Sequence, residues 1–321
     1  MLKKLIRAKE IPLIAILAFF TVLFWAINPN YLSLGNIRNI FNSGFVMGTL
    51  AVGISCLLIS GKIDLSAGST GMMAGVLISI ILREGVPWVP ALIIILVFGA
   101  ITGLINAFFV NVMGFAPFIS TLAVSTVYGG LSLVITQGAN IPISNKGFLV
   151  LGSTNLWIFP LPFIIMIVLL AIYGIILSTM GFGRRAYMTG GNAGAARLAG
   201  ISTKKITTVL FVNNSVIACL AGSILASRMA MGSPSGVLGS DLDAITAVVL
   251  GGVAFTGGSG NMFGVFIGIL LIAGFQNGIV VANLDAYYRV VATGLLLVAA
   301  LVLDYYRESA RIKALTKGAR E

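Results

Sequence analysis

Few residues in this chain are equipped for chemistry, and they fall into three short constellations. Asp64 lies in Ser60-Gly61-Lys62-Ile63-Asp64-Leu65-Ser66-Ala67-Gly68-Ser69, immediately before an apolar run. Asp241 and Asp243 lie in Gly239-Ser240-Asp241-Leu242-Asp243-Ala244, before a shorter run that reaches Gly251-Gly252. A carboxylate or hydroxyl in such a place accepts hydrogen bonds from the free N–H groups of the helix that follows. For Gly61, Asp64, Ser66 and Asp243 two readings stand side by side: helix capping, and a hinge or polar lining at the mouth of a pathway. The third constellation runs from Gly183-Arg184-Arg185 to Arg197-Leu198-Ala199-Gly200-Ile201. There Ala193 to Ala199 can form a short helix with Asn192 as its cap and Gly200 as its stop. Such a helix can dock in a groove on a partner, or the loop can simply carry charge that fixes topology.

Other chemistries have no residues to build them. The chain contains no histidine and two cysteines, so a His-based triad, a zinc site and a disulfide framework drop out. Cys56 and Cys219 fall within apolar runs and read as reduced, buried side chains. The Walker pattern is missing, because Gly61-Lys62 is followed by Ile63 instead of a hydroxyl residue that would hold magnesium. The chain therefore does not hydrolyse ATP by itself. Gly257-Gly258-Ser259-Gly260 resembles a nucleotide loop only superficially, since no strand precedes it.

The elements that position these residues follow from composition. Of 321 residues, 58% are hydrophobic and 9% charged, against about 25% charged in soluble domains. This is a membrane protein. Charge-free runs place ten crossings at Ile11 to Ile27, Ser43 to Ser60, Ser66 to Leu82, Val89 to Val110, Phe118 to Thr136, Trp157 to Leu177, Thr207 to Ala226, Ala244 to Phe255, Met262 to Val281 and Tyr287 to Leu303. The first reads as a retained helix, because no small-residue cleavage pattern follows it. The eighth reaches only about 18 Å, against a hydrocarbon core of about 30 Å, and should be a half-helix continued by irregular chain. The fold expected is an all-α membrane protein of about ten helices with one short broken helix. Two Asp-preceded helices entering from opposite faces hint at an inverted repeat.

The net charge of +11 is a topology signal and not a nucleic-acid signal. With a cytoplasmic N-terminus, all basic residues fall inside except Arg38, Arg83, Lys146, Arg228 and Arg289, as the positive-inside rule requires. Both termini are then cytoplasmic. The chain reads as a single transmembrane domain over residues 1–321, with an inside loop at 179–206 and a basic tail at 304–321. The span centres carry no ionisable residue, which points away from proton coupling and toward an energy source on another polypeptide. Small residues four apart, such as Gly71 and Gly75 or Gly264 and Gly268, let helix backbones approach in lipid. Asn106, Asn213, Asn214, Gln276 and Asn277 are the polar candidates for lining a path. Hydrogen bonding between helices is the competing reading for each.

These residues also carry a family resemblance. Gly61-Lys62-Ile63-Asp64-Leu65-Ser66-Ala67-Gly68-Ser69 resembles the GGIDLSVGS signature of the ribose-type permeases of bacterial ABC importers. Gly183-Arg184, Gly190-Gly191-Asn192, Ala195-Ala196-Arg197-Leu198 and Gly200-Ile201 are similar to that family's coupling loop. Leu242 to Gly252 with Gly257, Gly258 and Gly260 resembles its other long motif. Lys62 stands where the family usually has Gly and can pair with Asp64; Ala193-Gly194 stands where related loops often carry Glu-Ala. The resemblance implies a dimeric channel with an identical or paralogous second permease subunit. It also implies cytoplasmic ATP-binding subunits that hold ATP and magnesium, and an extracytoplasmic substrate-binding protein. Asn192, Ala195, Ala196, Gly200 and Ile201 would belong to the coupling helix. Cargo would be a monosaccharide or similar polyol. A signalling furanose, a nucleoside or a branched-chain amino acid is the alternative cargo, and an ion-coupled carrier the alternative machine.

Overall fold

A computed structural model describes residues 11–318, with Leu238 excepted. Lys3, Lys4, Arg7, Lys9 and Arg320, which the orientation count uses, lie outside the described residues. In chain order the helices are α1 (Ile11–Ile27), α2 (Leu34–Ile59), α3 (Ala67–Arg83), α4 (Trp88–Ala107), α5 (Pro117–Thr136), α6 (Lys146–Ser153), α7 (Leu161–Thr179), α8 (Gly181–Gly191), α9 (Ala193–Leu198), α10 (Thr203–Met229), α11 (Ser240–Leu250), α12 (Met262–Val281) and α13 (Ala286–Gly318). Two two-residue ribbons complete the elements: β1 (Ile141–Pro142) pairs with β4 (Met231–Gly232), and β2 (Asn155–Leu156) with β3 (Phe159–Pro160). Among the described residues six helices are long and apolar enough to cross a membrane, and α1, α3 and the first half of α13 are shorter apolar helices. The protein is a multi-pass membrane protein.

Glycine sets the packing. A Cβ at Gly71 would meet the carbonyl oxygen of Ala218 at 2.8 Å, and one at Gly75 that of Gly222 at 3.2 Å, so α3 and α10 lie parallel and close. Gly99 faces Ser215 and Gly103 faces Phe211, which sets α4 antiparallel to α10. On the other side of the bundle Gly44 meets Ala273 and Ser55 meets Met262, so α2 and α12 are antiparallel. Of the six long spans α2 is the most enclosed, with 89% of its most apolar stretch buried, whereas α5 has 22% buried and shows an outward apolar face.

The structure differs from the sequence reading at four of the spans. α11 has eleven residues and irregular chain also precedes it: Met231 to Val237 descends along α3. Gly232 packs against Gly75 and Ser79, and Asp241 against Gly68. That descent and the half-helix together cover about 30 Å, one bilayer core. Irregular backbone is tolerable at this depth where protein covers it, as it does at Gly232, Pro234 and Val237. Gly251-Gly252 thus ends the helix near the far face. Trp157 lies in the β2–β3 hairpin with φ of 58°, so the sixth span begins later, at Leu161. α2 starts at Leu34, well before Ser43. α13 runs unbroken through Asp304 to Gly318, since charged residues end an apolar span without ending a helix.

Candidate functional site

Asp64 is 1% exposed and sits at the level of Asn214, about 17 Å along α10 from its first residue. The sequence left Asp64 as a helix cap or as a hinge or lining at a pathway mouth; the fold buries it at mid-height of the bundle. Its Oδ1 accepts the Ser66 N–H at 2.8 Å and the Ser66 hydroxyl at 2.6 Å, and its Oδ2 accepts Asn214 Nδ2 at 2.9 Å. Asn106 Nδ2 donates to Ser66 Oγ at 2.7 Å and reaches Asp64 Oδ2 at 3.4 Å. The next residue, Leu65, donates its N–H to Thr121 Oγ1 at 3.0 Å. Ser66 at the cap of α3, Asn106 of α4 and Asn214 of α10 thus converge on one carboxylate, every donor to it neutral, while Thr121 of α5 holds the residue beside it. Among the described residues Lys62 makes no ion pair with Asp64. Ser66 makes no side-chain capping bond to α3; Asp64 instead binds the N–H of Ser66 itself and so orders the turn into the helix.

The room for this cluster comes from glycine. A Cβ at Gly53 of α2 would stand 2.5 Å from Asn214 Oδ1, and one at Gly68 of α3 would stand 3.0 Å from the carboxylate carbon of Asp241. The chain entering α11 therefore meets the start of α3 beside Asp64. Asp241 and Asp243 lie within the first turn of α11, whose cap is Gly239 without a side-chain bond.

The other polar candidates form separate contacts. Asn213, about 100° around α10 from Asn214, accepts a hydrogen bond from the Tyr173 hydroxyl of α7. Gln276 Nε2 donates to Asp243 Oδ2 at 3.0 Å and to Thr293 Oγ1 at 3.2 Å, tying α12 to α11 and α13. Asn277 Oδ1 accepts from Asn36 Nδ2 at 2.8 Å. Asn106, Asn214, Asp64 and Ser66 are brought together; Asn213, Gln276 and Asn277 are not part of that cluster.

A second convergence joins the three glycine motifs. A Cβ at Gly190, near the end of α8, would collide with the Ile59 carbonyl oxygen and stand 2.7 Å from Gly258 N. Gly258 donates its N–H to that Ile59 oxygen at 2.8 Å. Gly257, at φ of 89°, lies 2.7 Å from Gly61 N by the same measure, and the Tyr187 hydroxyl donates to the Gly260 carbonyl at 2.7 Å. The loop carrying α8 thus touches both the turn before Asp64 and the turn after α11, backbone on backbone.

From this junction α9 projects outward. Asn192 Oδ1 accepts the Ala195 N–H at 2.9 Å, and Gly200 stops the helix at φ of 78°. Ala196 is buried and Ala195 exposed, while Ile201 packs partly against the core. Leu198 is 93% exposed. Its exposure was not readable from the sequence, because a six-residue helix is too short for periodicity to show a face.

Comparison with known proteins gives a consistent result. A family model described as "Branched-chain amino acid transport system / permease component" matches residues 36–301. The chain is 34% identical to the ribose import permease protein RbsC of Bacillus subtilis, over 87% of each chain. It is 34% identical to the L-arabinose transport system permease protein AraH of Escherichia coli, over 92% of this chain and 91% of the relative. It is 31% identical to the D-allose transport system permease protein AlsC of Escherichia coli, over 90% and 89%. No solved structure matches.

Proposed function

The chain belongs to this family of transport-system permease components, and from that premise we propose that it is the membrane permease subunit of an ABC importer for a monosaccharide or similar small polyol. A binding protein on the outer side delivers the sugar. A separate subunit hydrolyses ATP, and a second permease subunit, identical or paralogous, completes the channel. The chain sits in a bacterial cytoplasmic membrane, crosses it ten times and keeps both ends in the cytoplasm. The alternating helix directions set by the glycine contacts are consistent with that count. The chain forms one permease domain, with residues 179–206 as the coupling loop and 304–321 as a cytoplasmic tail.

One observation carries the reading: the Gly190 junction. α9 presents Ala195 and Leu198 to a partner, and its supporting loop rests directly on the turns leading to α3 and from α11. Displacement of α9 by the ATP-binding subunit is therefore passed to the turn before α3 and the turn after α11 without an intervening side chain. Asn192, Ala195, Ala196, Gly200 and Ile201 act in coupling; Gly61, Asp64, Ser66 and Asp243 act at the hinges. Asn213, Gln276 and Asn277 remain candidates for the path, and Asn106 and Asn214 serve it by holding Asp64.

The buried Asp64 favours one second reading, an ion-coupled carrier, since an intramembrane carboxylate often belongs to a proton or ion pathway. Reconstitution separates the two. Sugar uptake that requires the ATPase and binding protein supports the importer; ion-driven uptake by the chain alone overturns it.

A further inference from the structure

At the inner end of α4 the helix widens into a π turn, Phe108–Val112. The extra residue swings Asn111 onto the first turns of α10. Asn111 Nδ2 donates to Thr208 Oγ1 at 2.9 Å and to the Lys204 carbonyl at 3.3 Å, and its Oδ1 accepts from the Thr207 hydroxyl at 3.0 Å. π turns of this kind recur at functional sites. Beside the staple lies a groove of about 450 Å³ lined by Asn111, Val112, Lys204, Lys205, Thr208 and Val209.

The groove has two unlike sides. One holds the exposed ammonium groups of Lys204 and Lys205, neither of which forms an ion pair among the described residues. They sit on the first turn of α10, whose cap Ser202 makes no side-chain bond, so the local field also favours an anion. The other side is apolar and open: Val112 is 69% and Val209 51% exposed, and Ile101, Leu104 and Ile105 continue that surface along α4. A soluble acidic partner would satisfy the lysines and leave the apolar strip bare. A free anion would do the same.

We propose that this groove is a binding site for an anionic phospholipid, with the phosphodiester head group on Lys204 and Lys205 and an acyl chain along Val112, Val209 and α4. An amphiphile is the ligand whose charge and apolar parts match both sides at once, and basic pockets between helices at the cytoplasmic face take anionic head groups. The site rests on the multi-pass reading and on the cytoplasmic placing of α9. It is independent of cargo and of the ATP-binding subunit.

The test is native mass spectrometry of the full chain in mild detergent, titrated with phosphatidylglycerol or phosphatidylcholine. Preferential retention of phosphatidylglycerol is expected, weakened about fivefold by Lys204→Gln or Lys205→Gln and about 25-fold by both. The Lys204→Arg, Lys205→Arg pair should keep it, which distinguishes charge from a folding defect, and Lys146→Gln should leave it unchanged. Equal retention of the two lipids, or phosphatidylglycerol retention that survives the double Gln variant, overturns the proposal. So does displacement of the lipid by millimolar inorganic phosphate, which would mark a free-anion site. Loss of ATP-binding-subunit recruitment with lipid retention intact would assign the lysines to that partner instead.

Discussion

Gly190 and Ile59 meet backbone to backbone, with no space for a methyl group between them, and the N–H of Gly258 closes on the same Ile59 carbonyl. Three segments distant in sequence are thereby locked at one point. The neighbouring Gly191 is different, since a Cβ there would find its nearest atom, Gly258 Cα, at 3.9 Å.

Gly190→Ala should therefore spread the junction and reduce uptake at least tenfold in reconstituted vesicles. Gly191→Ala should stay within twofold of the parent. The ATP-binding subunit should still bind the Gly190→Ala variant, because α9 itself is untouched. Equal behaviour of the two variants would count against transmission through this contact.

Leu198 places a whole apolar side chain in water, at 93% exposure. Burying it under a partner is worth about 1.5–3 kcal/mol. Leu198→Ala should weaken recruitment of the ATP-binding subunit by roughly tenfold or more, read by co-purification or surface-based binding. Full-strength recruitment would exclude this residue from the interface.

Asn192→Ala removes the cap of α9 and should cost about 1 kcal/mol of local helix stability. Hydrogen exchange in residues 193–198 should rise, with recruitment weakened in step. Asn192→Ser, which keeps the acceptor, should restore both.

Asp64→Ala leaves the Ser66 N–H and the Asn214 amide buried without an acceptor. Each orphaned donor costs about 1–3 kcal/mol. The variant should show a clearly lowered unfolding temperature in detergent and poor yield, whereas Gly130→Ala, at a position with nothing within 4 Å of a Cβ, should cost nothing measurable.

What the sequence made legible was whatever depends on local pattern. Apolar runs marked the spans, and Asn192 and Gly200 marked both ends of α9, because capping is decided within a few residues. Glycines four apart marked the helix contacts. Asp64 was misjudged in depth because its neighbours in sequence, Gly61 and Lys62, belong to a turn, while Asn106 and Asn214 reach it from 42 and 150 residues away. The descent before α11 was missed for a related reason: buried irregular chain has no periodicity to read. α8 was missed because glycines at 181, 183, 190 and 191 argue against a helix that tertiary packing nonetheless enforces.

The deep enclosure of α2 sets the order in which the protein can mature. α2 is the least apolar of the six long spans, and it packs on α7, α10, α11 and α12. All of these leave the ribosome later. A nascent chain must hold a glycine-rich, only moderately apolar helix in lipid until the second half has been made. A frameshift or stop before α12 would therefore strip α2 of a partner it packs on, leaving the whole polypeptide open to membrane proteases.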